Sequence, residues 1–287
     1  MQRVILRRLC AGRGATVGPM ARRGTHATPL EERIANLDVS LFGAIESLTT
    51  SQDRRSLLAL HDACAGTYGT FDYLEIGSYH GGSLQALVRD SRCGSIVSID
   101  TRPPRQPDQR GADFANLDNS TDRMLERLSA IPDADVEKIT ALDADTRTLD
   151  PERVPGRPVM CFIDGEHTDE TALHDARFCR RVLADSGSIV FHDGQIIYRG
   201  IANFIEQLRA GGVVFQPYVL PDSLFVIELG EPRLLAVEQV AGQLEDSWQA
   251  YLWSLQFNDG YRRALSTRVA QALRRARVLR VELGRHR

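Results

Sequence analysis

Lysine is nearly absent from this chain: Lys138 stands alone against 34 arginines in 287 residues. Such a bias points to a GC-rich, bacterial genome. No apolar run approaches the ~20 residues that a helix needs to cross a bilayer, which argues against a helical membrane protein and predicts a soluble one. The five cysteines, Cys10, Cys64, Cys93, Cys161 and Cys179, are odd in number and contain no CxxC pair. That argues against a zinc ribbon or a disulfide framework and predicts free thiols in a reducing, cytoplasmic setting. Net charge is small too, −3 at neutral pH, but unevenly placed. Seven arginines fall in residues 1–34 and nine in 261–287, so the body between them carries 19 basic and 35 acidic residues, a net −16. An acidic body argues against nucleic acid as the main substrate and leaves the basic ends as solvated faces.

What is present is ordinary for a globular protein, 43% hydrophobic and 25% charged, in a chain long enough for one sizeable core with appended helices. Residues 1–27, Arg-rich and free of acids, read as a disordered basic N-terminus. Residues 28–66 read as helices. Thr28-Pro29-Leu30-Glu31 supplies the N-cap, N1 and N3 residues of a capping box, and helical apolar spacing runs on to about Leu48; a second helix spans about Asp53 to Ala65. Residues 67–230 alternate β-prone apolar runs with helical periodicities, the pattern of a parallel sheet wound by helices. The last two β-runs, joined by Pro221-Asp222, predict an antiparallel edge hairpin. Residues 231–287 read as an Arg-rich helical extension. No repeat is present.

The stretch Phe71 to Asp100 organises the rest. A β-prone run (Phe71, Tyr73, Leu74, Ile76) is followed by a turn with Gly77, Gly81 and Gly82, an apolar-periodic helix (Leu84, Leu87, Val88) and a second β-run ending on Asp100. This predicts one βαβ unit, with glycines where a ligand nears the backbone and an acid placed to accept ribose hydroxyls. The GxGxxG fingerprint is absent; the turn reads Glu75-x-Gly77-x-Tyr79-x-Gly81-x-Ser83. A carboxylate at its start repels phosphate and favours a cationic or hydroxyl-rich nucleoside. E-x-G-x-x-x-G-x-S followed by a strand ending in Asp resembles the first two motifs of class I methyltransferases. The resemblance implies S-adenosylmethionine as cofactor, a Rossmann-like α/β fold with a seven-stranded, mostly parallel sheet, and contact of Asp145 (in Ala144-Asp145-Thr146) with the adenine. His80 in the turn either lines the cofactor pocket or faces solvent.

Two further β-runs end in acids, at Asp164-Gly165-Glu166-His167 and at His192-Asp193-Gly194. In an open α/β sheet ligands lie beyond the C-terminal strand ends, so the two carboxylates should converge. Adjacent acids repel unless a cation sits between them, and two hard oxygen ligands suit Mg²⁺ or another divalent ion. His167, three residues after Asp164, is placed to act as general base on a substrate hydroxyl. His192 reads as a hydrogen-bonded histidine near the core. The segment FIDGEHTDETALHDARFCRRVLADSGSIVFHD resembles metal-dependent small-molecule O-methyltransferases, in particular the branch with macrolide-sugar methyltransferases and cephalosporin-hydroxylase-like proteins. That resemblance implies Asp164 and Asp193 as metal ligands, His167 as base, and a sugar or glycosylated metabolite of secondary metabolism as acceptor. It also implies a homo-oligomer. Gly194 departs from the pattern, which often has a further Asp or Asn ligand there; Gln195, Glu166 or water are left to complete the shell. The polar segment 101–120 is too long for an ordinary βα connection and is expected to serve the site. Two other readings stay open: an oxidative, hydroxylase-like enzyme on the same scaffold, and a non-catalytic ligand-binding or scaffolding module.

Overall fold

A computed structural model describes residues 28–111, 113–244 and 247–259; the basic N-terminus and the arginine-rich stretch 261–287 lie outside them. The chain opens with α1 (Leu30–Ala35), one residue later than the capping-box reading places it: Pro29, with ψ 147°, occupies the N-cap without a side-chain bond. The helix does not run on to Leu48, because Leu37 takes a left-handed φ of 53°. Asp38 then caps a short 3₁₀ turn, Val39–Phe42, through Ser40 N. The longer α2 (Ser51–Tyr68) starts on a reciprocal capping box of Thr50 and Asp53.

The α/β body follows as β1 (Phe71–Ile76), β2 (Cys93–Ile99), a two-residue ribbon of β3 (Arg105–Gln106) and β4 (Phe114–Ala115), α3 (Thr121–Ser129), β5 (Ile139–Leu142), β6 (Met160–Ile163), α4 (Asp169–Val182), β7 (Ser188–Phe191), α5 (Tyr198–Ala210), β8 (Phe215–Val219) and β9 (Phe225–Leu229); α6 (Glu238–Ala241) and α7 (Trp248–Asn258) complete it. The seven-stranded sheet has the order β5-β2-β1-β6-β7-β9-β8. Its first five strands are parallel, and β9 runs antiparallel to both β7 and β8, so the expected edge hairpin is there. Alternation along the strands builds two cores. Leu74, Ile76, Ile99, Ile163 and Phe191 face α4 and α5, while Tyr73, Ile96, Phe162 and Val190 face α2 and α3. Among the described residues no helix is long and apolar enough to cross a membrane.

After the glycine turn the structure has successive tight turns instead of the expected helix. Two contacts account for this. Gln85, fully buried, accepts from Ala44 N and Ile45 N and donates to the carbonyls of Phe42, Ile45 and Gly82. Gly82 lies so close to residues 46–47 that a Cβ would sit 2.9 Å from Ser47 Cβ. Tertiary ties to the N-terminal segment thus override the helical periodicity of Leu84, Leu87 and Val88.

Candidate active site

Strand register sets the site. Ile99 pairs with Ile76, Ile76 with Ile163, and Ile163 with Phe191. The residues that follow them, Asp100, Gly77, Asp164 and His192, therefore form one row along the C-terminal edge of the sheet. Gly77 has φ +91°, and a Cβ there would lie 2.2 Å from Asp164 O, so the first turn and the end of β6 touch backbone to backbone.

In the first half of the row, Asp100 is 4% exposed. Its Oδ2 accepts from Tyr79 N at 3.0 Å and its Oδ1 from Arg102 N at 2.7 Å. A second lone pair on Oδ1 can still accept a hydroxyl, which fits a ribose. Glu75 turns beneath the glycine turn instead: Ser83 Oγ donates to Oε1 at 2.6 Å and Tyr73 OH to Oε2 at 2.8 Å. Burial pushes Glu75 up to about 8 against those two hydrogen bonds. Both oxygens serve the turn, so Glu75 and Ser83 brace the glycine turn from below. Gly81, φ +81°, packs on Leu128. Asp145 grips Arg147 through both carboxylate oxygens.

In the second half, four side chains converge. The ligand atoms of Asp164, His167 and His192 lie within 4.8 Å of one another. His167 Nε2 is 3.6 Å from Asp164 Oδ1 and 3.5 Å from Asp193 Oδ2, while its Nδ1 faces Asp108 Oδ2 at 3.6 Å. Burial opposes a charge on His167, but Asp108, Asp164 and Asp193 outweigh it and raise its pKa to about 9. Burial likewise opposes a charge on His192, and Asp164, Asp53 and Asp193 raise it well above the usual value. Asp164 is held well below the carboxylate range by the two imidazoles in spite of burial. Asp193, with φ 52°, accepts from Gln195 Nε2. Glu166 accepts from the hydroxyls of Thr168 and Thr171 at the start of α4, so it is a helix-start residue and not part of the cluster.

Segment 101–120 folds over both halves. Tyr79 OH donates to Leu117 O and His80 Nε2 meets Asp118 O at 3.2 Å. At the other end Gln109 N donates to His167 O and Gln109 Oε1 accepts from Asp169 N. Arg102, with φ 52°, latches the base of the segment: its guanidinium donates to Tyr79 O, Asn119 Oδ1 and Asp143 Oδ1.

The structure thus brings together Asp100, Gly77, Tyr79, Asp164, His167 and Asp193 as the sequence implies, and adds His192, Asp53, Asp108, Arg102 and Tyr251. Asp53 stands 3.5 Å behind His192 Nε2. Tyr251 reaches in from α7, its hydroxyl 3.3 Å from where a Gly194 Cβ would be. His192 had a usable signal, since it is the first residue past a buried strand. Arg102 and Asp108 lie in segment 101–120, already expected to serve the site; Asp53 and Tyr251 come from distant segments, and nothing local marks them.

Residues 74–194 match the family Methyltransf_24, a methyltransferase domain. No curated protein matches the chain. Among solved structures it is similar to CalS11, a calicheamicin methyltransferase (16% identity, 76% of this chain and 100% of that one, TM-score 0.47). It is similar also to an O-methyltransferase from Bacillus cereus in complex with S-adenosylhomocysteine (13%, 73% and 94%, TM-score 0.44). A third is TomG from Streptomyces achromogenes, an O-methyltransferase of tomaymycin synthesis (15%, 73% and 93%, TM-score 0.43). With residues 74–194 matching a methyltransferase domain and the strand order β5-β2-β1-β6-β7-β9-β8, the chain has a Rossmann-like methyltransferase fold.

Proposed function

We propose that this protein moves the methyl group of S-adenosylmethionine to a hydroxyl oxygen of a small molecule, a sugar or a glycosylated metabolite. The observation that carries the reading is the row Asp100, Gly77, Asp164, His192. It sets a carboxylate suited to ribose hydroxyls directly beside an acid and imidazole cluster. When bound, the cofactor supplies an electrophilic methyl on sulfur, so the protein need form no covalent intermediate and acts by holding the partners in contact. Asp100 and the Tyr79 turn hold the nucleoside. His167, with Asp108 on its far nitrogen, accepts the proton of the acceptor hydroxyl, a role typically worth about 10²–10⁴ in rate. Asp164 and Asp193 would hold a divalent ion, which would lower the pKa of that hydroxyl and offset two of the three carboxylates that keep His167 protonated. Segment 101–120 keeps water from the reacting groups. The sugar preference rests on the resemblance, in which His occupies the position of His167 in the sugar-modifying branch and Lys in the catechol-type branch.

Calorimetric titration with S-adenosylhomocysteine tests the cofactor half: wild type binds, and Asp100→Ala weakens binding at least about tenfold. Transfer of labelled methyl to a panel of sugar nucleotides and glycosides tests the acceptor half. There His167→Ala should lose turnover while keeping cofactor affinity. Wild-type protein that binds neither S-adenosylmethionine nor its product refutes the reading. A second reading, oxidation on the same scaffold, draws on the grouping of two imidazoles and one carboxylate, a donor set shared with non-haem iron oxygenases. Consumption of O₂ and 2-oxoglutarate without S-adenosylhomocysteine release would select it.

A further inference from the structure

The cluster contains a nitrogen donor for which magnesium has little use. His192 is 5% exposed, and neither ring nitrogen completes a hydrogen bond. Nδ1 nevertheless stands 2.8 Å from Asp164 Oδ1 and 3.8 Å from Asp193 Oδ2. A buried imidazole is costly unless something satisfies it, and the close approach to Asp164 is off the line of a hydrogen bond. Two donors sharing one ion at bond lengths near 2.1 Å lie roughly 3.0–3.4 Å apart, and the observed separations bracket that spacing.

Behind the ring the arrangement is fixed. His192 Nε2 faces Asp53 Oδ2 at 3.5 Å. Asp53 is fully buried; its Oδ1 accepts from Ser223 N and Oγ, its Oδ2 from Thr50 N and Oγ1. A carboxylate behind a ligating histidine holds the far nitrogen protonated and points the near lone pair at the metal. Position 194 has no room for a ligating side chain: a Cβ there would already be 3.3 Å from Phe225 Cβ, Ser223 O and Tyr251 Oη. His167 differs from His192, with its side chain 20% exposed and lying under the segment that covers the site.

We propose that His192 Nδ1 joins Asp164 and Asp193 as the third protein ligand of a borderline transition ion of the manganese-to-zinc series, in place of magnesium. Asp53 is the positioning residue behind it, and His167 stays outside the shell as base. Imidazole nitrogen favours that series, whereas magnesium prefers oxygen. The inference deepens the methyl-transfer reading and rests on it for what the ion does, though not for whether the ion binds.

The test uses full-length protein stripped with chelator and titrated by calorimetry with Co²⁺ and, separately, Mg²⁺, with the visible cobalt spectrum as second readout. Because any nitrogen-containing site favours cobalt to some degree, the variants decide. His192→Ala should weaken cobalt at least about a hundredfold and alter its spectrum while leaving magnesium nearly unchanged; His192→Asn replaces it if the alanine variant does not fold. Asp53→Asn should weaken cobalt about 10–100-fold, and His167→Ala should stay within about threefold of wild type. S-adenosylhomocysteine binding, measured on every variant, reports an intact cofactor half. Cobalt affinity and spectrum unchanged in a His192 variant that still binds S-adenosylhomocysteine would overturn the proposal, as would a His167→Ala loss equal to that of His192→Ala. Wild type that binds cobalt but no S-adenosylhomocysteine would sink the methyl-transfer reading and leave this assignment standing.

Discussion

Replacing Gly77 by alanine tests the contact on which the two halves of the site depend. The position has φ +91°, and the added Cβ would meet Asp164 O at 2.2 Å, Asp164 C at 2.5 Å and Gly165 Cα at 2.6 Å. A side chain forced into that backbone region costs about 1–3 kcal/mol. The clash is with backbone on a central strand, which cannot swing aside, and overpacking of that kind adds about 1–3 kcal/mol. The sum, about 2–6 kcal/mol, is a large part of a typical folding free energy. At roughly 2–4 °C per kcal/mol for a domain of this size, the melting temperature should fall by about 4–24 °C. Gly165→Ala, across the same contact, is the control: its Cβ would find only Ile76 Cγ2 at 3.5 Å and Asp175 Oδ2 at 3.6 Å, so a change within about 1 kcal/mol is expected. Urea unfolding followed by circular dichroism reads both. A Gly77→Ala midpoint equal to wild type would refute the backbone contact between the turn and β6.

Gln85→Ala should cost about 3 kcal/mol or more, because it orphans the buried Ile45 amide and three carbonyls and frees the exposed Ala44 amide, at about 1–3 kcal/mol for each buried group left unsatisfied. Gln85→Glu should be at least as harmful at pH 7 and partly recover at pH 5, where a buried carboxyl can protonate; equal urea midpoints at both pH values would count against the clasp. Glu75, raised to about 8 in the folded chain, holds its proton more tightly folded than unfolded. Its contribution to stability is therefore greatest below the unfolded value near 4.5 and is lost as pH climbs towards 8. Glu75→Gln should remove that decline and unfold at higher urea than wild type above pH 8, and a parallel pH profile for the two proteins would contradict the assignment. Arg102→Ala removes the latch on Tyr79, Asn119 and Asp143. Amide exchange in residues 101–120 should quicken and S-adenosylhomocysteine affinity fall about tenfold; unchanged exchange would show that the segment is held by its other contacts.

The sheet was legible because each buried strand announces itself as an apolar run closed by a glycine or an acid, and the acids Asp100, Asp164 and Asp193 fall at one edge by topology alone. Boundaries were less so. The N-terminal helix expected to run to about Leu48 ends at Ala35, and the helix expected after the glycine turn gives way to Gln85 and its partners. Asp145 carries a local tie that its position alone does not announce. Asp90, Asp100, Asp108 and Asp145 each accept a hydrogen bond from the backbone amide of an arginine two residues on. At Asp145 the arginine side chain takes both carboxylate oxygens as well, while at Asp100 Arg102 touches one oxygen at 3.4 Å and reaches on to Tyr79 and Asn119. The difference lies in what surrounds each guanidinium, which a single sequence does not carry. Asp53 reads as a helix-capping acid and is one; that the same carboxylate also reaches Ser223 and stands behind His192 depends on 170 intervening residues.

That double use of Asp53 bears on where the working unit begins and ends. Alternation of strands and helices marks out residues 67–230, yet a fragment cut there would leave His192 without the acid behind it and Gly194 without Tyr251. Gln85 would lose the segment it clasps at residues 42–45. The stretch before β1 is thus not a detachable ornament, and neither is α7. An exchange of either between relatives would carry part of the reaction centre with it, and grafting the bare sheet onto foreign flanks would transplant the cofactor turn while leaving the acceptor side unfinished.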